Sequence, residues 1–406
     1  MGGDTASAHG LRQIGASDLG GRGRGGEGMV ILARGDRRHL FVAHESAPTN
    51  FTVVDVSDPR SPAVVHQTDL PHFEVRSNSL ALAHDGALLA VAYQVKRAGL
   101  TPAGIELFDV SDPTSPRSVS YIDTSGPNSV GAHFVWISGN LLFAATGLPD
   151  FEPANPRDHQ IVLIADISDP AHPREVSRWW LAGTAAGDQE PPPVRHPAPE
   201  DRGFRAHNVN VYPSRPDRAY VGYLDGGVII LDLADPARPA QISRLDYHPP
   251  LPGFTHTALP LFSRGLLAVT DEALTNDGED HPKLLWMMDA SVETNIVPIA
   301  TAPLPDPAPF RAQGGRFGAH NLHENDPSPT AWHSEDEVFG AFFSAGVRIY
   351  DVRQPFQPRE VAHFVPPAPA GSPVGTAQTN DVYVDERHLL YAVDRHTGGL
   401  YILERS

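Results

Sequence analysis

One short phrase recurs along the chain and restricts what it can fold into. FTVVDVSDPRSP (51–62), IELFDVSDPTSP (105–116), VLIADISDPAHP (162–173) and VIILDLADPARP (228–239) are four copies of it. VRIYDVRQPFQP (347–358) is a fifth, and LLWMMDASVETN (284–295) is a degenerate copy that lacks both prolines. Each copy is a β-rich run, an Asp, a proline-bearing turn and a second β-rich run. The Asp side chain caps a local turn, while proline presets φ and withdraws a ladder donor, so one strand ends there and the next begins. Repeats of about 50–65 residues leave room for one four-stranded propeller blade each. Two more strand-like runs lie upstream of each copy, such as HNVNVYP (207–213) and RAYVGYL (218–224) before the fourth.

Read through, the chain holds six full blades. The C-terminal stretch NDVYVDERHLLYAVDRHTGGLYILERS supplies three further strands and stops. LRQIGASDL near the N-terminus reads like the fourth strands REVSRWWL and AQISRLDY. The expected fold is therefore all-β, a single seven-bladed β-propeller over residues 1–406 whose last blade is closed by the N-terminal strand 11–19. Blades begin near 28, 78, 133, 207, 256, 320 and 380. Such closure removes free sheet edges. The repeat resembles the LVIVD-repeat family, named for strands like VIILD, and the tail from GAHNLHEN to YAVDRHTGGLYILE is similar to bacterial members of it. The resemblance implies the propeller fold and says little about function.

Composition narrows the partners. A net charge of −18 argues against nucleic acid and against an anionic membrane surface. With no cysteine, a metal must be held by imidazole, carboxylate or carbonyl groups. No apolar leader core and no membrane-length apolar run is present, so a cytoplasmic protein acting on a small molecule is expected. Nothing in the sequence fixes an oligomeric state.

The 20 histidines are not scattered. Aligned first strands run GEGMVIL (26–32), RSNSLAL (76–82), GAHFVWI (131–137), RAHNVNV (205–211), FTHTALP (254–260), GAHNLHE (318–324) and QTNDVYV (378–384). The third position reads Gly28, Asn78, His133, His207, His256, His320, Asn380. If about one residue in twenty is His, four hits in seven arise by chance roughly twice in ten thousand trials. The first strand of a blade lines the channel of a propeller, so these imidazoles are expected to turn towards the axis. Neutral imidazole is the commonest protein metal ligand and suits Fe, Zn or Cu. The competing reading is a polar plug that bonds water and channel backbone.

Further polar groups fall at the same ends of the blades. Glu272, after the second strand of blade five, is a candidate general base, and His323 is a weaker catalytic candidate on the opposite strand face. Arg76, Arg205 and Arg316, with Asn78 and Asn380, are candidate substrate contacts. Long loops, 182–206 and 303–317 among them, gather there as they do around binding sites. The expectation is a metal-dependent enzyme with a divalent transition metal on His133, His207, His256 and His320. Iron is favoured over Zn, Mn or Cu, because four neutral ligands suit a redox ion; the arrangement is similar to that of carotenoid-cleavage oxygenases. The alternatives are a Lewis-acid lyase, isomerase or hydrolase, a protein-docking propeller, and a metal-binding protein without turnover.

Overall fold

The computed structural model describes residues 6–83, 85–197 and 201–406. They form seven antiparallel sheets, in which successive strands are neighbours except where an N-terminal strand joins the sixth and the seventh. The Asp-Pro phrase makes the hairpin expected of it. Strand Gly104–Asp109 pairs with Arg117–Asp123, and between them the Asp109 carboxylate accepts from Ser111 N (2.9 Å) and the Asp112 carboxylate from Thr114 N (3.0 Å). The same two-step capping recurs at Asp166 and Asp169, and at Asp232 and Asp235. The degenerate copy keeps one cap, Asp289 accepting from Ser291 N. Hence prolines can be lost there without losing the turn.

The chain divides into two compact units. The second, Ser46–Phe51 with Thr68–Ala258, contains the second, third and fourth sheets. Its core joins Ile105, Leu107, Val135, Ile137, Leu142, Leu163 and Ile167, which alternate along their strands and interdigitate from neighbouring sheets. The first unit, Met1–Glu45 with Thr52–Gln67 and Leu259–Ser406, contains the sixth and seventh sheets. Leu11–Ser17 pairs with Leu400–Arg405 and completes the seventh sheet, so the last sheet is closed by the N-terminal strand.

Two local expectations are corrected. GAHNLHEN does not form a regular strand. Its one ladder contact is an isolated bridge, Leu322 to Gly340, and the innermost regular strand of the sixth sheet is Glu337–Ala341. The side chains of His320 and Asn321 are turned onto the Asn380 carbonyl, and Asn325 has φ +51°, so the segment cannot hold an extended pleat. The sixth sheet instead gains an outer strand, Ser7–His9, paired with Arg359–Val365. The loop 303–317 is also less irregular than its prolines suggest. It contains a helix, Pro307–Gln313, with Asp306 capping Ala308 N and proline at its first turn.

Candidate functional site

The histidine position has a structural cause, a bulge in the inner strand. In the third sheet Ala132 faces Thr146 and Phe134 faces Ala145, which leaves His133 as the extra residue. In the seventh, Thr379 faces Asp394 and Asp381 faces Val393, which leaves Asn380 extra. A bulged residue leaves the pleat and its side chain is re-aimed. In the second sheet the inner strand is interrupted between Arg76 and Leu80, and Asn78 sits in the gap.

In the second unit three register histidines meet in one buried cluster, edge-on between His133 and His207 and tilted between His207 and His256. His133 Nε2 lies 2.7 Å from His207 Nε2, and the rings of His207 and His256 have centroids 3.9 Å apart. His207 Nδ1 meets Asn208 Oδ1 at 2.8 Å, and His256 Nδ1 meets Thr257 Oγ1 at 2.8 Å. Each of these two rings is thus oriented by the residue that follows it, an arrangement that ligating imidazoles share. His133 Nδ1 faces Gln94 Oε1 at 3.1 Å and Arg76 Nη2 at 3.4 Å. Arg76 is engaged by Gln94, through Nε at 2.9 Å and Nη2 at 2.6 Å, so it positions His133 rather than standing ready for substrate. Asn78 is fully buried, and neither side-chain polar atom meets a partner among the described residues. A buried amide of that kind calls for a ligand or water beside it. The placement of His256 depends on Gly222, where a Cβ would stand 1.9 Å from the His256 carbonyl oxygen. Arg205 lies at the foot of the 182–206 loop, where its charge acts on His159 and Asp225.

In the first unit the remaining histidine is set among charges. His320 is fully buried and donates Nδ1–H to the Asn380 carbonyl at 2.7 Å, which leaves Nε2 as the nitrogen facing the carboxylates. That nitrogen lies 3.7 Å from Glu272 Oε1 and 3.8 Å from Glu27 Oε1, while Phe343 stacks on the ring at 4.4 Å. Arg316 Nη1 donates to Glu272 Oε1 at 2.8 Å and its guanidinium lies over Phe343. Arg395 pairs with Glu45 and donates to Asn380 Oδ1 at 3.3 Å. Burial pulls the Arg316 pKa below its ordinary value, with Arg395 adding to the effect. At Arg395 burial acts the same way, but Glu45, Glu272 and Glu27 outweigh it and the pKa ends raised. Glu45, Glu272 and Glu27 thus share the surroundings of His320 with Arg316 and Arg395.

Expected roles change in consequence. Arg316 and Asn380 are positioning groups, the first for Glu272 and the second, through its carbonyl, for His320. His323 is withdrawn from chemistry. Its Nε2–H donates to the Trp332 carbonyl at 2.6 Å and its Nδ1 accepts from Val384 N at 3.2 Å, so both nitrogens are used by the backbone. Glu27, Glu45 and Arg395 were not singled out by sequence. Glu45 and Arg395 follow second strands that end at His44 and Asp394, as Glu272 follows the one ending at Asp271. That shared position is a signal that finds all three. Glu27 had no such signal, because it sits in an irregular stretch where Gly25 faces His44 and Met29 faces Val42.

Another concavity is a less apt site. A cavity of about 540 Å³ in the first unit is lined by Trp332, His388, Arg264, Arg353 and Arg405. Its cations are committed: Arg264 to backbone carbonyls, Arg353 to Asp351 and Arg405 to Glu337.

Comparison with known proteins agrees with the sheets and the repeat. The model of the LVIVD repeat matches residues 40–69, 159–179 and 207–246. The chain carries LVIVD repeats. No curated protein matches it significantly. Among solved structures, the β-propeller domain of Myceliophteria thermophila Cps50 (Swd1) is 13% identical, with 99% of this chain and 100% of that one covered at a TM-score of 0.57. The Pseudomonas aeruginosa periplasmic gluconolactonase PpgL is 16% identical, with 89% and 93% covered at a TM-score of 0.59. At these identities the likeness is one of fold, and the fold is that of a seven-bladed β-propeller.

Proposed function

We propose that this LVIVD-repeat protein is a metal-dependent enzyme for a small anionic or aromatic organic substrate, with its register histidines as metal ligands. The observation that carries the reading is His320. Its Nδ1 is held by a carbonyl, and its Nε2 faces Glu272 and Glu27 in a buried setting. That is a donor set built for a cation. The similarly oriented rings of His207 and His256 support it.

A bound divalent ion would polarise a carbonyl oxygen or acidify a water. The chain's own part is positioning and proton transfer. Asn380 fixes the His320 tautomer, Arg316 holds Glu272 in place, and Glu272 is the carboxylate placed to take or give a proton beside His320 Nε2. The carboxylates favour Lewis-acid chemistry, lyase or hydrolase in type, because they supply the charge and the base that four histidines alone would lack. The likeness in fold to a protein described as a gluconolactonase sits comfortably with that class. The clustered imidazoles of His133, His207 and His256 favour the second reading, a non-haem iron oxygenase.

Elemental analysis of untagged protein purified without added metal tests the proposal, with the His207→Ala/His320→Ala double variant as control. Near-stoichiometric zinc or manganese that is lost in the variant supports the Lewis-acid reading, and iron or copper the oxygenase. No metal in the wild type, and none taken up on reconstitution, would refute both and leave a binding platform.

A further inference from the structure

A second group of ligand-type side chains lies wholly within the second unit and apart from the register histidines. His196, Asp246 and His248 each offer one ligand atom, and the three atoms all lie within 4.8 Å of one another. His196 comes from the proline-rich 182–206 loop, while Asp246 and His248 follow directly on strand Ala240–Leu245. We infer that these three residues form a second divalent transition-metal site, a two-imidazole, one-carboxylate clamp that ties the loop to the end of that strand.

The two carboxylate oxygens of Asp246 have separate tasks. Oδ2 takes Arg244 Nη2 at 2.7 Å, while Oδ1 accepts His248 N at 3.1 Å and lies 3.8 Å from His248 Nδ1. One oxygen therefore faces the imidazoles while the other carries the salt bridge. Arg244 does not crowd the site, because its Nε donates to the Gly226 carbonyl at 2.7 Å and its guanidinium lies over the Phe204 ring at 5.7 Å. His248 is immobile. Its side chain is fully buried, the Tyr247 ring meets it edge-on at 4.4 Å, and a Cβ on Gly253 would fall 1.7 Å from its Nε2. The ring of His196 stands 5.3 Å from that of His248, centroid to centroid.

The approach of His196 is arranged by its neighbour. Arg195 donates to Asp158 at 2.8 and 3.0 Å and to Asp201 at 3.0 and 2.7 Å, which pins the loop on both sides of His196. Donors around a tetrahedral ion with bonds of about 2.0–2.2 Å stand about 3.4 Å apart. Closing on an ion thus needs a shift of roughly 1 Å, which the half-buried His196 ring supplies by rotation while His248 stays still. Two imidazoles and one carboxylate suit Zn2+, Ni2+, Co2+ or Fe2+, and they leave open positions on the ion.

Cobalt(II) is the probe, because its absorption bands report nitrogen and oxygen ligation directly. In the His207→Ala/His320→Ala background, which disables the register histidines, the protein should bind one equivalent of Co2+ by equilibrium dialysis. Adding His196→Ala should abolish that equivalent and its spectrum. In the otherwise wild-type chain, His196→Ala alone should lower bound cobalt by one equivalent, a check that does not depend on a triple variant folding. Cobalt binding that is unchanged by His196→Ala in both backgrounds, or no binding at all, overturns the proposal. Failure of the register-histidine reading looks different: wild type and double variant would then bind the same single equivalent.

Discussion

His323 offers the cleanest test of how the buried histidines are used. Its ring is held neutral, since Nε2–H faces the Trp332 carbonyl and Nδ1 must stay unprotonated to accept from Val384 N. Complete burial, partly opposed by the Trp332 bond, lowers its pKa from 6.5 to about 4. Between those values the unfolded chain takes up a proton that the folded chain refuses. Stability is therefore full above the unfolded value and falls as pH drops towards 4. Integrating that difference from pH 7.5 to 5 gives a loss of about 2 kcal/mol from this one residue. The test is His323→Gln, whose amide keeps a donor for Trp332 and does not titrate. At pH 7.5 the variant should be less stable by about 1–3 kcal/mol, because Val384 N–H loses its acceptor. By pH 5 the gap should have narrowed by about 2 kcal/mol. Urea unfolding of both proteins at the two pH values measures it. Other titrating groups, including Asp381, whose carboxyl burial pushes up, are common to both chains and cancel. A gap of constant size across that range would refute the neutral, backbone-bound role.

Other consequences follow from close contacts. Gly222→Ala places a methyl against the His256 carbonyl and should cost about 1–3 kcal/mol, read as a lower unfolding midpoint. It should also reduce metal content if His256 is a ligand. Glu272→Gln removes the charge paired with Arg316 and facing His320, so metal affinity should fall about 10–100-fold while the far-UV spectrum is kept. If Glu272 only anchors Arg316, thermal stability will drop and metal affinity will not. Metal uptake in the chain lacking His207 and His320 separates the two sets of ligands, as described above.

What could be read from sequence and what could not divides along a physical line. The hairpins were legible because Asp and proline act locally, and the Asp109 and Asp112 caps need only residues two positions away. The histidine register was legible because the inner segments repeat, with a bulge at the register position at His133 and at Asn380. GAHNLHEN reads as a strand but is not one, because the side chains of His320 and Asn321 both turn to a distant partner, the Asn380 carbonyl, which no local pattern announces. Glu27 was missed for a related reason: extra residues in its strand break the count that periodic reasoning depends on. His196 and His248 stand in loops with no period at all, and the pinning of Arg195 by Asp158 and Asp201, far apart in sequence, holds the loop beside His196. The charge around His320 is the most consequential of these misses. Four histidines alone point to a redox ion with neutral ligands. Glu27 and Glu272 beside one of them move the balance towards a Lewis acid with its own base, and that shift follows from two distances of under 4 Å.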